Sequence, residues 1–227
     1  RWHLASRNKA PWKWTPPPGI VSKRGTAVSL RVSNPLSPLL DPGFIEGTLR
    51  RHYQALLEPM FEPLLREHYP HGALFEVNGR VLEPEVHLAS LPGSDGLAPI
   101  EVRLARKRKP SAVGYLVRET LPLPEDRRGL AISTLGKVIK RGWDWIGLSP
   151  TTPEQVGGFI EVPALAGCLT LNKADFIRTG SRGATYLAYR KAIQEVVAQQ
   201  LAAWGDARGE VEEARRRVTR PVERDLE

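Results

Sequence analysis

The sequence predicts an α+β protein that ends in a long helix, and three observations lead to this fold class. Short apolar runs rich in β-branched residues alternate with tight-turn signals such as Asn78-Gly79, which is typical of strands joined into hairpins. Apolar residues recur at helical spacing before and after these runs, within residues 45–56 and 186–204. With 227 residues, of which 41% are hydrophobic, the chain can bury a sizeable core.

The composition favours an anionic partner and a reducing compartment. The net charge of +8 and the isoelectric point of about 9.9 are typical of proteins that bind nucleic acid or nucleotide phosphate. Cys168 is the single cysteine, so no internal disulfide can form and we expect a cytoplasmic protein. No apolar stretch is long enough to span a bilayer, and we expect no membrane partner. The chain starts at Arg1 and its only methionine is Met60, which suggests a fragment of a longer protein.

The first 40 residues are predicted to form an extended arm followed by a strand. Three consecutive prolines, Pro16 to Pro18, favour polyproline II backbone in the arm. Basic residues lie between the tryptophans of the arm, so its indoles either stack on nucleic-acid bases or pack on a neighbouring domain. Polar and apolar residues then alternate within residues 25–32, which is the pattern of a half-buried strand.

Residues 41–204 are predicted to form the main domain. Asp41-Pro42 opens a helix, and Pro59 and Pro63 divide the helical region that follows into two short helices. Three hairpins come next, each with a turn signal between two apolar runs. Their strands are predicted within residues 73–82, within residues 100–106 and 112–118, and within residues 129–135 and 138–141.

A polar turn separates the last predicted strand from the long helix. The strand covers residues 158–163, the turn contains Asn172, Lys173 and Asp175, and the helix covers residues 184–204. Functional groups of sheet proteins often lie where strands end, and a lysine there can act as a point charge on a phosphate. In the alternative interpretation, Asn172 and Asp175 only cap the turn and Lys173 is solvated.

A second group of candidate residues is basic and lies in the hairpin of residues 100–118. A basic hairpin tip can follow a nucleic-acid backbone. Alternatively, the charges keep an edge strand from pairing with another chain. The residues of this basic hairpin are Arg103, Arg106, Lys107, Arg108 and Lys109.

The remaining sequence is informative mainly through what it lacks. Charges of both signs alternate in residues 205–227, which predicts a charged tail, either a solvated helix or a frayed segment. The chain contains no P-loop motif, no Rossmann glycine fingerprint, no zinc-type cysteine pattern and no Gly-x-Ser-x-Gly elbow. These absences argue against the enzyme and metal-binding classes that such motifs define.

Two motifs resemble GHKL-type ATPases, the superfamily of the DNA gyrase B subunit, the ninety-kilodalton heat-shock chaperones, MutL and the MORC proteins. Gly25-Thr26-Ala27-Val28-Ser29-Leu30 is similar to the strand that closes the nucleotide-binding domain in that superfamily. The segment from Gly158 to Asn172-Lys173-Ala174-Asp175-Phe176 is similar to the end of the transducer domain in MORC-like members. The resemblance covers residues 25–204.

The resemblance implies an arrangement of domains and a mechanism. Residues 1–40 would contain the closing strand of an upstream ATPase domain, and residues 41–204 would form the transducer. The transducer fold is that of a ribosomal small-subunit protein, with helices on one face of a mixed sheet. Lys173 would contact the terminal phosphate of ATP held by the upstream domain, and Asn172 and Asp175 would hold its loop. ATP binding would drive closure of a homodimer that moves DNA, chromatin or a client protein.

The chain departs from the superfamily in one important respect. The magnesium-binding asparagine, the catalytic glutamate and the glycine-rich lid of the superfamily are not found in it. ATP and magnesium are therefore expected to bind the longer protein, and this chain alone is expected to be inactive. Two other functions stay open, namely a separate nucleic-acid-binding domain that uses the basic hairpin and a structural dimerisation module.

Overall fold

The structure, a computed structural model, describes residue 28 and residues 30–83, 96–104 and 109–207. The chain divides into two units, Arg1–Asp41 and Pro42–Glu227. The proline- and tryptophan-rich arm lies outside the described residues, as do residues 208–227 of the predicted tail.

In the first unit, the strand expected over residues 25–32 is absent at the positions that the structure describes. Val28 and residues 30–32 belong to no regular element, and the side chains of Val28 and Leu30 are 79% and 74% exposed. A strand is stable only when its backbone groups pair with a neighbour, and no described residue supplies that neighbour. The described part of this unit forms a single 3-10 turn, Pro38–Leu40.

The second unit begins with helices that prolines divide. Helix α1 covers Pro42–His52, α2 covers Gln54–Leu57, a 3-10 turn covers Pro59–Phe61, and α3 covers Glu62–Leu65. Pro59 and Pro63 each lie in the first turn of a helical segment, where a missing N–H does not break a helical hydrogen bond. The predicted start at Pro42 and the predicted interruptions are confirmed, although the region has more pieces than expected.

A small hairpin follows α3. Strands β1 (Glu76–Val77) and β2 (Arg80–Val81) pair antiparallel. Asn78 and Gly79 occupy the turn with φ angles of 51° and 80°, the left-handed conformation that a two-residue hairpin turn requires. The predicted hairpin is confirmed with shorter strands.

The main sheet has five strands in the order β3-β4-β7-β5-β6. These strands are β3 (Leu97–Val102), β4 (Ala112–Arg118), β5 (Gly129–Thr134), β6 (Lys137–Gly142) and β7 (Val156–Glu161). β7 is central and buried along its whole length; it is parallel to β5 and antiparallel to β4. The sheet is therefore mixed.

Helices cover both faces of this sheet. Helix α4 (Gly180–Ala203) packs on the face that contains Leu116, and the α2–α3 region packs on the face that contains Tyr115. The side chains of α4 buried on its face are Tyr186, Tyr189, Ile193, Val197 and Leu201. The α+β class, the mixed sheet and the long C-terminal helix are confirmed. The resemblance implied helices on one face, and the difference arises because successive residues of β4 are apolar, so both faces need covering.

The fold continues past the end of α4. Asp206 is buried, and its carboxylate accepts hydrogen bonds from the Thr152 backbone at 2.9 Å and the Thr152 hydroxyl at 2.8 Å. Ala207 forms a bridge with Pro150. The predicted tail begins at residue 205, but residues 205–207 belong to the folded unit. In the part of the chain that the structure describes, no helix is both long enough and apolar enough for a membrane span.

Candidate functional site

The candidate site is the loop between the central strand and the long helix. After β7 the chain passes through a 3-10 turn, Pro163–Cys168, and then forms a loop closed by the bridge between Leu169 and Phe176. Phe176 is buried and stacks on Tyr186 of α4 with ring centroids 4.7 Å apart. The base of the loop, which we call the Lys173 loop (residues 169–176), is thereby anchored in the core.

Hydrogen bonds inside the Lys173 loop fix its shape. The Asn172 Oδ1 accepts from the Thr170 hydroxyl at 2.7 Å and from the Ala174 backbone at 3.2 Å. The backbone N–H of Thr170 donates to the carbonyl of Asp175 at 2.8 Å, and the N–H of Lys173 donates to the carbonyl of Thr170 at 2.9 Å. Asparagine next to a tight turn commonly bonds to the backbone two residues further on, and Asn172 does so here.

Lys173 lies at the exposed tip of the loop. Its φ angle is +53°, a left-handed conformation that costs a non-glycine residue roughly 1–2 kcal/mol. Its side chain is exposed, and its ammonium makes no ion pair or hydrogen bond with any residue that the structure describes. The neighbouring Leu171 is also fully exposed. Backbone strain held in place by a tight network is typical of functional sites, and here it presents one cation to the surroundings.

Asp175 joins the loop to the rest of the fold. Its Oδ1 accepts from the Phe176 N–H at 2.6 Å, and its Oδ2 lies 2.8 Å from Lys140 Nζ and 4.0 Å from Arg178. Burial acts to raise the pKa of the Asp175 carboxyl, but the hydrogen bonds from Lys140 and Phe176 and the charges of Lys140 and Arg178 outweigh it and lower that pKa. The carboxylate is therefore ionised at neutral pH and holds the loop against β6.

The basic hairpin is described only in part. Arg103 forms an exposed ion pair with Glu101 at 2.9 Å, and Lys109 is exposed. Arg106, Lys107 and Arg108 lie outside the described residues. β3, which precedes Arg103, is one edge strand of the sheet, whereas the Lys173 loop is bonded to β6, the other edge strand. The two groups of candidate residues therefore belong to different edges of the sheet.

Sequence reasoning missed a cavity of about 150 Å³ beneath α1. Tyr115 and Gly158 contribute to its lining from the sheet, and Asp126 contributes a carboxylate. Four arginines from three separate segments also line it. We call this cavity the arginine pocket, and its arginines are Arg50, Arg51, Arg127 and Arg141.

Arg141 lines both the arginine pocket and a groove next to it. Its guanidinium donates to the Gln54 side chain and to the carbonyl of Arg127, both at a long 3.4 Å, and forms no ion pair with a described carboxylate. Burial is the main cause that lowers the pKa of this guanidinium; with smaller effects of the Arg127 and Arg51 charges, it outweighs the opposing effects of Tyr115 and Asp126. The register of β5 and β6 pairs Arg141 with buried Ala131, so the charge lies on the α2–α3 face, and the sequence alone does not give this register.

Tyr115 adds a neutral polar group to the arginine pocket. Its hydroxyl accepts from the Gln54 side-chain amide at 2.7 Å and lies 3.4 Å from the buried carboxylate of Glu58. Burial and the nearby Glu58 carboxylate raise the pKa of Tyr115, so the phenol stays protonated. The pocket wall therefore carries no negative charge at this position.

A comparison with protein-family models finds no family that matches this chain, and a comparison with curated proteins finds no significant match.

Proposed function

We propose that this chain is the transducer region of a GHKL-type ATPase. In this function Lys173 contacts the terminal phosphate of ATP that a separate nucleotide-binding domain holds. The observation that carries the proposal is the presentation of Lys173, whose exposed ammonium has no described partner and lies at the tip of a strained, internally bonded loop. A lysine that served only for solubility would not need such a loop.

The chemistry fits a phosphate contact. Charge on a transferred phosphoryl group is stabilised by a cation that is already in place, because no reorganisation is then needed during the reaction. The bonds of Asn172 and the ion pair of Asp175 would keep Lys173 in place. ATP and magnesium would be bound by the upstream domain, and this chain would contribute the cation alone.

The anchoring of the loop suggests how hydrolysis is coupled to movement. Phe176 stacks on Tyr186 of α4, and Asp175 pairs with Lys140 of β6. A displacement of Lys173 would therefore act on both the long helix and the sheet. Loss of the terminal phosphate would remove the contact and favour another position of the transducer, which would open a homodimer closed by ATP. We place this cycle in the cytoplasm.

The test is the steady-state ATPase rate of the protein that joins this chain to its nucleotide-binding domain. Lys173→Ala should lower the rate by roughly 100-fold, the loss typical for removal of one preplaced electrostatic group. The melting temperature should not change, because Lys173 has no partner in the described fold. Lys191→Ala, which removes an exposed lysine of α4, is the matched control and should leave the rate unchanged. An unchanged rate in Lys173→Ala would remove Lys173 from the site.

A further inference from the structure

We propose that the arginine pocket binds the phosphate group of a small phosphate monoester. The arginine pocket contains no residue of the Lys173 loop, and the proposal does not rest on the proposed ATPase function. Its starting point is the concentration of charge, since four guanidinium groups and one carboxylate of the described residues line a cavity of about 150 Å³.

Among the described residues that line the pocket, one carboxylate faces four guanidinium groups. The one lining carboxylate, Asp126, lies 3.9 Å from Arg51, and both side chains are about half exposed, so the pair is weak. Arg50 donates to the carbonyl of Glu83 at 2.8 Å. Within the described ranges, Arg141 forms two long hydrogen bonds, both to neutral oxygens. A guanidinium that is largely removed from water without an anion is costly, and a bound anion would offset that cost.

The geometry of the pocket favours a phosphate group. Guanidinium groups present paired N–H donors that match the oxygens of a phosphate, and arginine is the residue most often used for this recognition. Because one water occupies about 30 Å³ of the liquid, the cavity holds a group the size of a few waters. A phosphate fits this space, whereas the ring system of a larger ligand would have to lie outside.

A groove next to the pocket could bind the organic part of the ligand. This groove has a volume of about 560 Å³ and shares Arg51, Asp126 and Arg141 with the pocket. It follows the edge strand β6, where Val138 and Ile139 provide apolar contacts. A phosphate monoester could therefore place its phosphate among the arginines and its organic group along β6.

The experiment is isothermal titration calorimetry on the full chain with inorganic phosphate and with phenyl phosphate, at matched ionic strength. Phenyl phosphate should bind at least about tenfold more tightly than inorganic phosphate, since its ring can occupy the groove. Arg141→Gln should weaken binding of phenyl phosphate at least about tenfold, as expected when a hydrogen bond to a charged group is lost. Arg66→Gln, which alters an exposed arginine of the α3 C-terminus, should bind as the unaltered chain does.

The possible outcomes separate the proposal from its alternatives. Equal affinities for inorganic phosphate and phenyl phosphate would mean that the pocket binds free phosphate, and would overturn the proposal that its ligand is a phosphate monoester. Absence of binding, or binding that Arg141→Gln leaves unchanged, would overturn the site altogether. Should Arg141→Gln fail to fold, Arg51→Gln takes its place, because Arg51 is about half exposed and lines both the pocket and the groove. Weakening of phenyl phosphate binding by Arg51→Gln would then support the proposal, and unchanged binding would overturn it.

Discussion

Lys140 Nζ lies 2.8 Å from Asp175 Oδ2, so an ion pair joins the edge strand β6 to the Lys173 loop. Lys140 also lines the groove beside the arginine pocket. The residue therefore belongs to both candidate sites, and its removal should affect the loop that carries Lys173 without touching Lys173 itself.

In the proposed ATPase, Lys140→Met should lower the rate of ATP hydrolysis less than Lys173→Ala does. The substitution removes the ion pair and leaves a side chain of similar length, so the loop loses one anchor and keeps its internal hydrogen bonds. Steady-state kinetics of both variants measure the difference. A rate for Lys140→Met as low as that for Lys173→Ala would mean that Lys140 has a more direct role than that of an anchor.

The same ion pair predicts a response to acid. The pKa of Asp175 is lower in the fold than its ordinary value of 3.8, so the folded state binds this proton less readily than the unfolded state. The stability contributed by Asp175 is therefore present above about pH 3.8 and is lost as the pH falls through the lower, folded-state pKa. Asp175→Asn should flatten this part of the curve of unfolding free energy against pH. A curve with the same slope as that of the unaltered chain would contradict the pairing.

Glu161 should make stability depend on pH in the opposite direction from Asp175, with stability lost as the pH rises. Its side chain is fully buried at the end of β7, and its Oε2 accepts a hydrogen bond from the Gly136 N–H at 3.3 Å. Burial raises the pKa of Glu161 to about 7, and the hydrogen bond from the Gly136 N–H offsets only part of that rise. The folded state therefore binds this proton more tightly than the unfolded state, and stability falls as the pH rises from about 4.5 to about 7.

Glu161→Gln should abolish this fall, because the amide does not ionise. At about pH 8 the variant should be more stable than the unaltered chain by up to about 3 kcal/mol, and near pH 4 the two should be similar. Urea unfolding at several pH values measures the effect. Glu195→Gln on the exposed side of α4 is the control. Parallel curves for Glu161→Gln and the unaltered chain would show that this carboxyl does not titrate in that range.

Substitution of the buried Asp206 should lower the unfolding free energy strongly. Asp206 is 1% exposed, accepts bonds from Thr152 and lies 3.7 Å from Arg118. Asp206→Ala would leave the Thr152 donors without their acceptor and should lower the unfolding free energy by about 2–4 kcal/mol. Thermal unfolding checks this, with Asp144→Ala at an exposed position as the control that should change it by less than about 0.5 kcal/mol. A loss for Asp206→Ala as small as that for Asp144→Ala would contradict the stabilising role of the Asp206 carboxylate.

The basic hairpin predicts how any nucleic-acid binding should respond to salt. If Arg103, Lys107, Arg108 and Lys109 contact phosphates, binding should weaken steeply with added salt. Replacing Lys107 and Arg108 with glutamine should lower the slope of log affinity against log salt by about one per lost contact. Fluorescence anisotropy with single-stranded and duplex oligonucleotides measures this slope. Binding that survives both substitutions unchanged would exclude the hairpin as the nucleic-acid site.

Local sequence signals predicted local structure well in this chain. The Asn78-Gly79 hairpin, the hairpin that turns at Leu135 and Gly136, and the proline-divided helices depend on a few neighbouring residues, and the structure contains all of them. The Lys173 loop could likewise be located from its sequence, because its hydrogen bonds join residues at most five positions apart.

Features that depend on distant residues could not be predicted in the same way. No local sequence signal predicts that β7 lies between β4 and β5 in the sheet. This strand order determines which side chains from distant parts of the chain are in contact. Arg51, Arg127 and Arg141 come from a helix, a loop and a strand, so only the folded topology reveals the arginine pocket. The expected strand of residues 25–32 shows the converse, since an alternating pattern forms a strand only where a partner is present.

The most direct measurement uses a nucleotide analogue that carries an acyl group on its terminal phosphate. In the proposed ATPase, which would join this chain to a nucleotide-binding domain, the amine of a lysine in contact with that phosphate attacks the acyl carbon, an amide forms and the nucleotide leaves. Mass spectrometry of the digested protein should find the acyl group on Lys173, with ATP and magnesium protecting that position and Lys191 unprotected. Labelling of Lys173 that is no greater than that of Lys191 and insensitive to ATP would contradict the proposed contact.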